Sequence, residues 1–332
     1  QELTVRDGHV NVSLATEPAT LLLPGATFAK ASDTRIDLVL PEALLPGRTV
    51  PLKAVVKNEF KIDCEAWMRL TLPDQVACEA KEFRQKVGAQ SEWTWTTNLG
   101  LKADYRMNPD KQEWMIVESG FEGQPAQRQV LVLPIAKVIS GRFDGEPDFT
   151  LDKSHHVYSL FVGDPNNAHN MWKGPSDLSA KVWLRKIGDA LVVKAEVIDD
   201  KHWQPFKTQD DAWKGDSVQL FIKTPEMEDC ASIIFFRGDD GIDNVILHKL
   251  PKGYEGNESL LQLKTTREGV TTTYEMTIPF AALGAKASGF DTGFRFNLMV
   301  NDNDSGDRKG WIWCAPGIGI GVNYKEHPVV MF

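Results

Sequence analysis

The twenty residues AKVWLRKIGDALVVKAEVID, 180–199, read as two strands folded back on each other at Ile187-Gly188-Asp189. Outwards from this hairpin the same texture continues. SVQLFIKT (217–224), SIIFFRG (232–238) and NVILHKL (244–250) are short strands. LLQLKTTREGVTTTYEMTIPF (260–280) is a second hairpin turning at Glu268-Gly269, and FRFNLMVND (294–302) and GWIWC (310–314) complete the set. The one helical piece expected is a turn at PFAALG, 279–284, closed by Gly284.

The first half carries the same period of two. Ile62, Cys64, Ala66, Met68, Leu70 and Leu72 hold alternate positions, and Trp93 and Trp95 flank Thr94. QVLVLPIAKVI, 129–139, is nearly continuous in apolar residues and reads as a strand covered on both faces. About seven short strands before residue 140 predict an immunoglobulin-like sandwich. The charged, Gly- and Pro-containing stretch SGRFDGEPDFTLDKSHH (140–156) then interrupts the pattern. The expected fold is all-β, with two tandem β-sandwiches: an immunoglobulin-like spacer over 1–138 and a second sandwich over 139–332. The spacer's tryptophans Trp93, Trp95 and Trp114 are expected mainly in its core.

Composition narrows the function. The 332 residues hold 37 basic and 46 acidic side chains, a formal charge of -9, without a basic stripe, which argues against nucleic acid. No apolar run approaches the roughly 20 residues of a membrane-spanning helix. Cys64, Cys78, Cys230 and Cys314 form no metal-spaced motif, and they permit either one disulfide per half or four thiols. The opening QELTVRDG lacks an apolar leader, so a removed signal peptide or a longer parent polypeptide is expected, with a secreted, periplasmic or cell-surface location.

Ten tryptophans are the unusual number, and three aromatic residues fall in one polar loop. In DDKHWQPFKTQDDAWKGDSVQLFIK, 199–223, Trp203, Phe206 and Trp213 precede a strand. Rings on a loop are costly to leave wet; either they cap the core or a ligand stacks on them, and the apolar C–H face of a sugar suits an indole.

These residues carry a resemblance. Phe143-Asp144-Gly145-Glu146, Asp177-Leu178-Ser179-Ala180-Lys181-Val182, Asp199-Asp200, Trp213-Lys214-Gly215-Asp216-Ser217-Val218-Gln219-Leu220-Phe221, Phe296-Asn297-Leu298-Met299-Val300-Asn301-Asp302 and Gly310-Trp311-Ile312-Trp313 run in the order of carbohydrate-binding module family 9. The region from 140 to 332 resembles that family, a β-sandwich that binds polysaccharide chain ends beside glycoside-active modules. The resemblance implies that Trp213 stacks on a sugar while Gln219 and Arg237 bond its hydroxyls. The family's second tryptophan is missing from GIGIGVNYKEHP (317–328), which leaves Trp203 or Tyr324 to oppose Trp213. It implies non-catalytic carbohydrate binding, by an accessory region of a glycan-degrading protein whose catalytic module belongs to the same parent polypeptide.

Other chemistries are weighed beside it. Asn301-Asp302-Asn303-Asp304-Ser305-Gly306-Asp307 reads as a calcium loop or as a solvated turn, with Asp302, Asp304 and Asp307 as the ligands to look for and calcium as the structural cofactor. Asp199, Asp200, Asp210, Asp211 and Asp216 are among the carboxylates weighed for glycoside hydrolysis, which needs a pair about 5–10 Å apart; the alternative function is a glycoside hydrolase or polysaccharide lyase with carboxylates at the domain junction. No nucleophile elbow or zinc-protease motif is present. A b-type haem module is the third class, with His248 and either Met227 or Met299 as ligands.

Overall fold

The computed structural model describes residues 35–105, 113–161 and 171–332 except 250, 253, 255, 305, 307 and 320, and the backbone of two short strands, β1 (Val5–Arg6) and β2 (His9–Val10). Asp307 therefore lies outside the described residues.

The first sandwich pairs two four-stranded antiparallel sheets. One joins β3 (Arg35–Val39), β4 (Thr49–Asn58), β8 (Ser91–Leu101) and β6 (Val76–Cys78). The other joins β10 (Gln127–Val132), β9 (Trp114–Phe121), β5 (Cys64–Thr71) and β7 (Glu82–Val87). Alternation decides which residues meet between them: Leu52, Ala54 and Val56 of β4 face Ala66, Met68 and Leu70 of β5 in one apolar core. Trp93 and Trp95 pack beside that core against Phe83, at 5.0 and 5.2 Å between ring centres. Trp114 is half exposed, on the outer face of β9.

The stretch 129–139 differs from its expectation. Residues up to Val132 form the edge strand β10, with Val130 and Val132 exposed. Pro134 then breaks the ladder, because it has no N–H to donate. Lys137–Val138 (β11) pairs in parallel with β23 (Val329–Met331), a strand of the second sandwich.

The second sandwich packs a five-stranded sheet on an eight-stranded one. The five are β12 (Phe149–Leu151), β14 (Leu178–Ile187), β15 (Ala190–Asp199), β20 (Thr271–Pro279) and β19 (Gln262–Glu268). In the eight, β11, β23, β21 (Phe294–Asp302), β16 (Ser217–Lys223), β17 (Ala231–Arg237) and β18 (Asp243–Lys249) run in that order, while β22 (Gly310–Trp313) pairs with β21 and with β13 (Val157–Ser159). The hairpin β14–β15 runs in unbroken register from Leu178↔Asp199 to Ile187↔Ala190, turning at Gly188 with φ +54°.

Val218, Leu220, Ile222, Ile233, Phe235, Phe296 and Leu298 point inward to the core between the two sheets. Each such side chain contributes roughly 1.5–3 kcal/mol on burial. The opposite parity of the same strands makes the outer face of the eight-stranded sheet: Gln219 and Phe221, Ile234 and Phe236, Met299 and Asn301, Trp311 and Trp313. The turn at 280–283 is a 3-10 turn ended by Gly284 in the left-handed region, where a side chain would overlap the Tyr254 ring. A short helix α1 (Ala287–Asp291) follows, which no periodicity announced. Among the described residues no helix is long and apolar enough to cross a membrane. All four cysteines are free thiols, and burial pushes that of Cys314 up to about 12.

Candidate functional site

The aromatic loop before β16 is held by buried polar side chains. Gln204 is fully buried and its Nε2 donates to the carbonyls of Ala212 and Asp216, each at 3.0 Å. Gly215 leaves the space for it; a Cβ there would lie against the Gln204 amide. Asp216 accepts the backbone N–H of Trp203 on Oδ2 and that of Asn303, at 2.8 Å, on Oδ1. These ties fix both ends of the loop and leave the rings of Trp203 and Trp213 half-buried.

Trp213 sits on the 3-10 turn Ala212–Lys214, and its indole N–H donates to the Asp210 carbonyl at 2.8 Å. Its ring packs on Ala212, Ile234 and Phe236, an apolar patch on the outer face of β17. The Lys214 ammonium lies 5.6 Å and the Arg308 guanidinium 5.3 Å from the ring centre. Trp203 packs edge-on against Phe206 at 5.3 Å, and no ring contact joins it to Trp213 among the described residues.

Gln219 pairs with Ile234 on one side and Met299 on the other, so it shares the outer face with the Trp213 patch. Arg237 does not. It has the parity of Ile233 and Phe235, and its guanidinium donates to Thr265 Oγ1 at 3.1 Å and lies 3.7 Å from Asp243. Tyr324 is also elsewhere: its ring lies under the Lys223 ammonium at 5.5 Å, beside a cavity of about 340 Å³ lined also by Leu45, Val50 and Phe294. Lys223 ends β16 and Ser217 begins it, so Tyr324 and the Trp213 end of the strand are on the order of 20 Å apart. The fold thus brings together Trp213, Gln219 and the loop of Trp203; the Arg237 backbone carbonyl meets His202 of that loop at 2.9 Å, but its side chain turns to the opposite face of β17, and Tyr324 lies at the far end of β16.

Four further residues, Tyr158, Arg308, Trp311 and Trp313, belong to this outer face. Tyr158 stacks on Trp311 at 4.4 Å, and Trp313 leans on both. With Ile318, Val322 and Asn323 these rings line a groove of about 410 Å³. Arg308 lies between Trp311 and Trp213. The alternation in GWIW, which puts both tryptophans on one face, was the available signal. The glycine loop where the family's second tryptophan was sought lies flat on Trp311: a side chain at Gly319 would overlap that indole.

Behind the aromatic loop is an acidic cluster. The Lys309 ammonium, almost fully buried, is 3.1 Å from Asp177, 3.1 Å from Asp302 and 3.0 Å from Asp304. Burial opposes its charge, but the three carboxylates prevail and raise its pKa. Burial pushes Asp302 up to about 7. Burial, and after it the charge of Asp199, pushes Asp216 well above the carboxylate range. Asp199 resists its own burial and is held low by His202, by the Lys201 N–H and by Asp216. Oδ1 of Asp302 and Oδ1 of Asp304 are buried with no hydrogen-bond partner. Asp199, Asp302 and Asp304 offer oxygens within 4.8 Å of one another, as do Asp177, Asp200 and Asp304. All-oxygen, carboxylate-rich donor sets fit a hard divalent cation such as calcium. The cavity beside Asp302 and Lys309 is only about 10 Å³, room for one water at most and none for a sugar ring.

The three side chains considered for haem do not converge. His248 is exposed on the edge strand β18, Met227 packs between the sheets, and Met299 is on the outer face.

Residues 161–320 match the family described as carbohydrate family 9 binding domain-like. No curated protein matches the chain. Solved structures that align include the YadV chaperone (12% identity, TM-score 0.23, 84% of this chain and 98% of that one) and the periplasmic chaperone SfaE (10%, 0.25, 64% and 98%). The E. coli chaperone DraB aligns at 10% identity and TM-score 0.22, over 65% of this chain and 99% of that one. At TM-scores this low the likeness carries no argument about fold or function.

Proposed function

We propose, from a second sandwich that carries a carbohydrate family 9 binding domain-like region, that this protein binds carbohydrate without transforming it. The observation that carries the reading is that the matched span, 161–320, contains the clamped loop of Trp203 and Trp213 and the outer-face Gln219. A half-buried indole supported from behind is a stacking platform, and an amide beside it suits a hydroxyl. Binding rather than hydrolysis is supported by the burial of Asp216 and Asp302 inside the fold, Asp302 beside a cavity with room for one water.

In this reading the chain divides at 138/139. The first sandwich spaces or orients the second, and the pair is an accessory region of a secreted or surface glycan-degrading polypeptide. Its contribution is to raise the local concentration of an attached catalytic module on its substrate. A calcium ion held by Asp199, Asp302 and Asp304 would brace the aromatic loop from behind through Asp216 and Asn303.

The test is tryptophan fluorescence of the wild type and of Trp213→Ala during titration with plant and algal oligosaccharides. A saturable shift that Trp213→Ala abolishes is expected. Equal shifts in both proteins would remove Trp213 from the site, and no shift with any sugar would sink the carbohydrate reading.

A further inference from the structure

Arg308 is 8% exposed, yet among the described residues no carboxylate pairs with it. Its Nη2 donates to the Asn301 amide oxygen and faces the Met299 sulfur at 3.8 Å; both partners are neutral. Its Nε is buried and makes no hydrogen bond. The guanidinium carbon lies 4.0 Å from the centre of the Trp311 ring and 5.3 Å from that of Trp213. Attraction to two indoles offsets part of the cost of burying such a cation. An unpaired buried charge nevertheless remains unfavourable, and a well-packed apolar side chain would serve stability better.

The position of this guanidinium is what gives it a use. It lies beside the proposed stacking ring, and the Lys214 ammonium lies 5.6 Å from the same ring. Lys214 is paired with Asp211, but that pair is solvent-exposed and correspondingly weak. Trp213 therefore has two cations for neighbours on a chain whose net charge is -9. A neutral sugar needs neither of them.

We infer that the ligand seated on Trp213 is an anionic sugar, a uronate or a sulfate ester, whose acidic group is received by Arg308 and steered by Lys214. The inference rests on the carbohydrate reading above and names the chemical class of its ligand. A guanidinium fork meets a planar carboxylate, or two oxygens of a sulfate, with paired hydrogen bonds.

The experiment is calorimetric titration of the whole chain at low and high salt with two ligand pairs. One pair is an oligogalacturonide and its methyl ester; the other is a sulfated galactan oligosaccharide and its desulfated form. An anionic member binding at least tenfold more tightly than its neutral partner, with an advantage that shrinks as salt rises, supports the inference, and the pair that discriminates identifies the acid. Arg308→Met removes the charge while keeping the length; it should melt at the wild-type temperature or above and lose the discrimination. Arg308→Lys keeps charge without the fork and should retain only part of it. Equal affinity within both pairs overturns the inference and leaves the carbohydrate reading standing. Undiminished discrimination in Arg308→Met overturns the role of Arg308. No binding in either pair overturns the inference, and the carbohydrate reading is then decided by the wider oligosaccharide titration with Trp213→Ala.

Discussion

Asp216 and Asn303, 87 residues apart, are joined by a hydrogen bond of 2.8 Å from the Asn303 backbone N–H to Asp216 Oδ1. The other oxygen of the same carboxyl accepts the N–H of Trp203. One buried side chain thus ties the aromatic loop to the loop that follows β21. Asp216→Ala would leave two buried donors unsatisfied, at about 1–3 kcal/mol each. The expected result is a loss of about 2–4 kcal/mol in urea unfolding and red-shifted tryptophan emission, with Asp216→Asn milder in both. Unchanged emission in the alanine variant would show that the loop does not depend on this clamp.

Gln219 and Arg237 should separate in binding experiments. Arg237 bonds Thr265 and Asp243 on the inward parity of β17, whereas Gln219 shares the outer face with the Trp213 patch. Arg237→Met is expected to cost about 1–3 kcal/mol of stability and to leave sugar affinity within about twofold. Gln219→Ala is expected to weaken the sugar about tenfold with little change in melting temperature. The reverse pattern would return Arg237 to the site.

The divergence between these two residues marks the limit of what the sequence discloses. Parity along one strand is legible, and Ile233, Phe235 and Arg237 plainly share a face. Which parity of β17 shares a face with Gln219 depends on the pairing Gln219↔Ile234, and register between strands is set by the whole sheet. Hairpins such as 180–199 are local and were readable from alternation and a glycine turn. Arg308 was not readable, because an arginine after an Asp- and Gly-rich loop looks like any solvated surface charge. Its burial between Trp213 and Trp311 exists only once β16, β21 and β22 lie side by side. Tyr324 was nearest in sequence to the missing tryptophan but lies at the far end of β16.

Calcium should stabilise the protein. Asp302 and Asp304 each keep a buried oxygen without a partner, close to the carboxylate of Asp199. At a hundredfold excess over its dissociation constant a cation bound only by the folded chain adds about 2.7 kcal/mol. Thermal melts in calcium and in chelator should differ by several degrees in the wild type and coincide in Asp302→Asn. Coincident wild-type melts would mean that Lys309 alone neutralises the cluster.

Acid should destabilise the fold through His327. Burial lowers its pKa from 6.5, and its ring donates through Nε2 to the Gly317 carbonyl at 3.1 Å. With the folded pKa below the unfolded one, the unfolded chain binds the extra proton. The stabilising contribution is therefore complete above about pH 6.5 and is lost as pH falls below it. The urea midpoint of the wild type should drop more steeply than that of His327→Gln between pH 7 and 5. Parallel slopes would assign acid sensitivity to other groups.

Two glycines of the loop over Trp311 provide a paired test of how that ring is covered. Gly319 and Gly321 both have positive φ, +93° and +80°, so an alanine at either pays the left-handed penalty of roughly 1 kcal/mol. They differ in space. A Cβ at Gly319 would overlap the Trp311 indole, while one at Gly321 meets nothing within 4 Å. Gly319→Ala must push the loop or the ring aside, and overpacking of this kind adds about 1–3 kcal/mol. It should also disturb the stack of Tyr158 on Trp311 and the Arg308 guanidinium that lies over the same ring. The expected result is a melting temperature several degrees lower for Gly319→Ala than for Gly321→Ala, with changed near-ultraviolet circular dichroism in the first alone. Equal melting temperatures would mean that the loop can lift from Trp311 at no cost, and that the groove beside Trp313 is closed by something other than this contact.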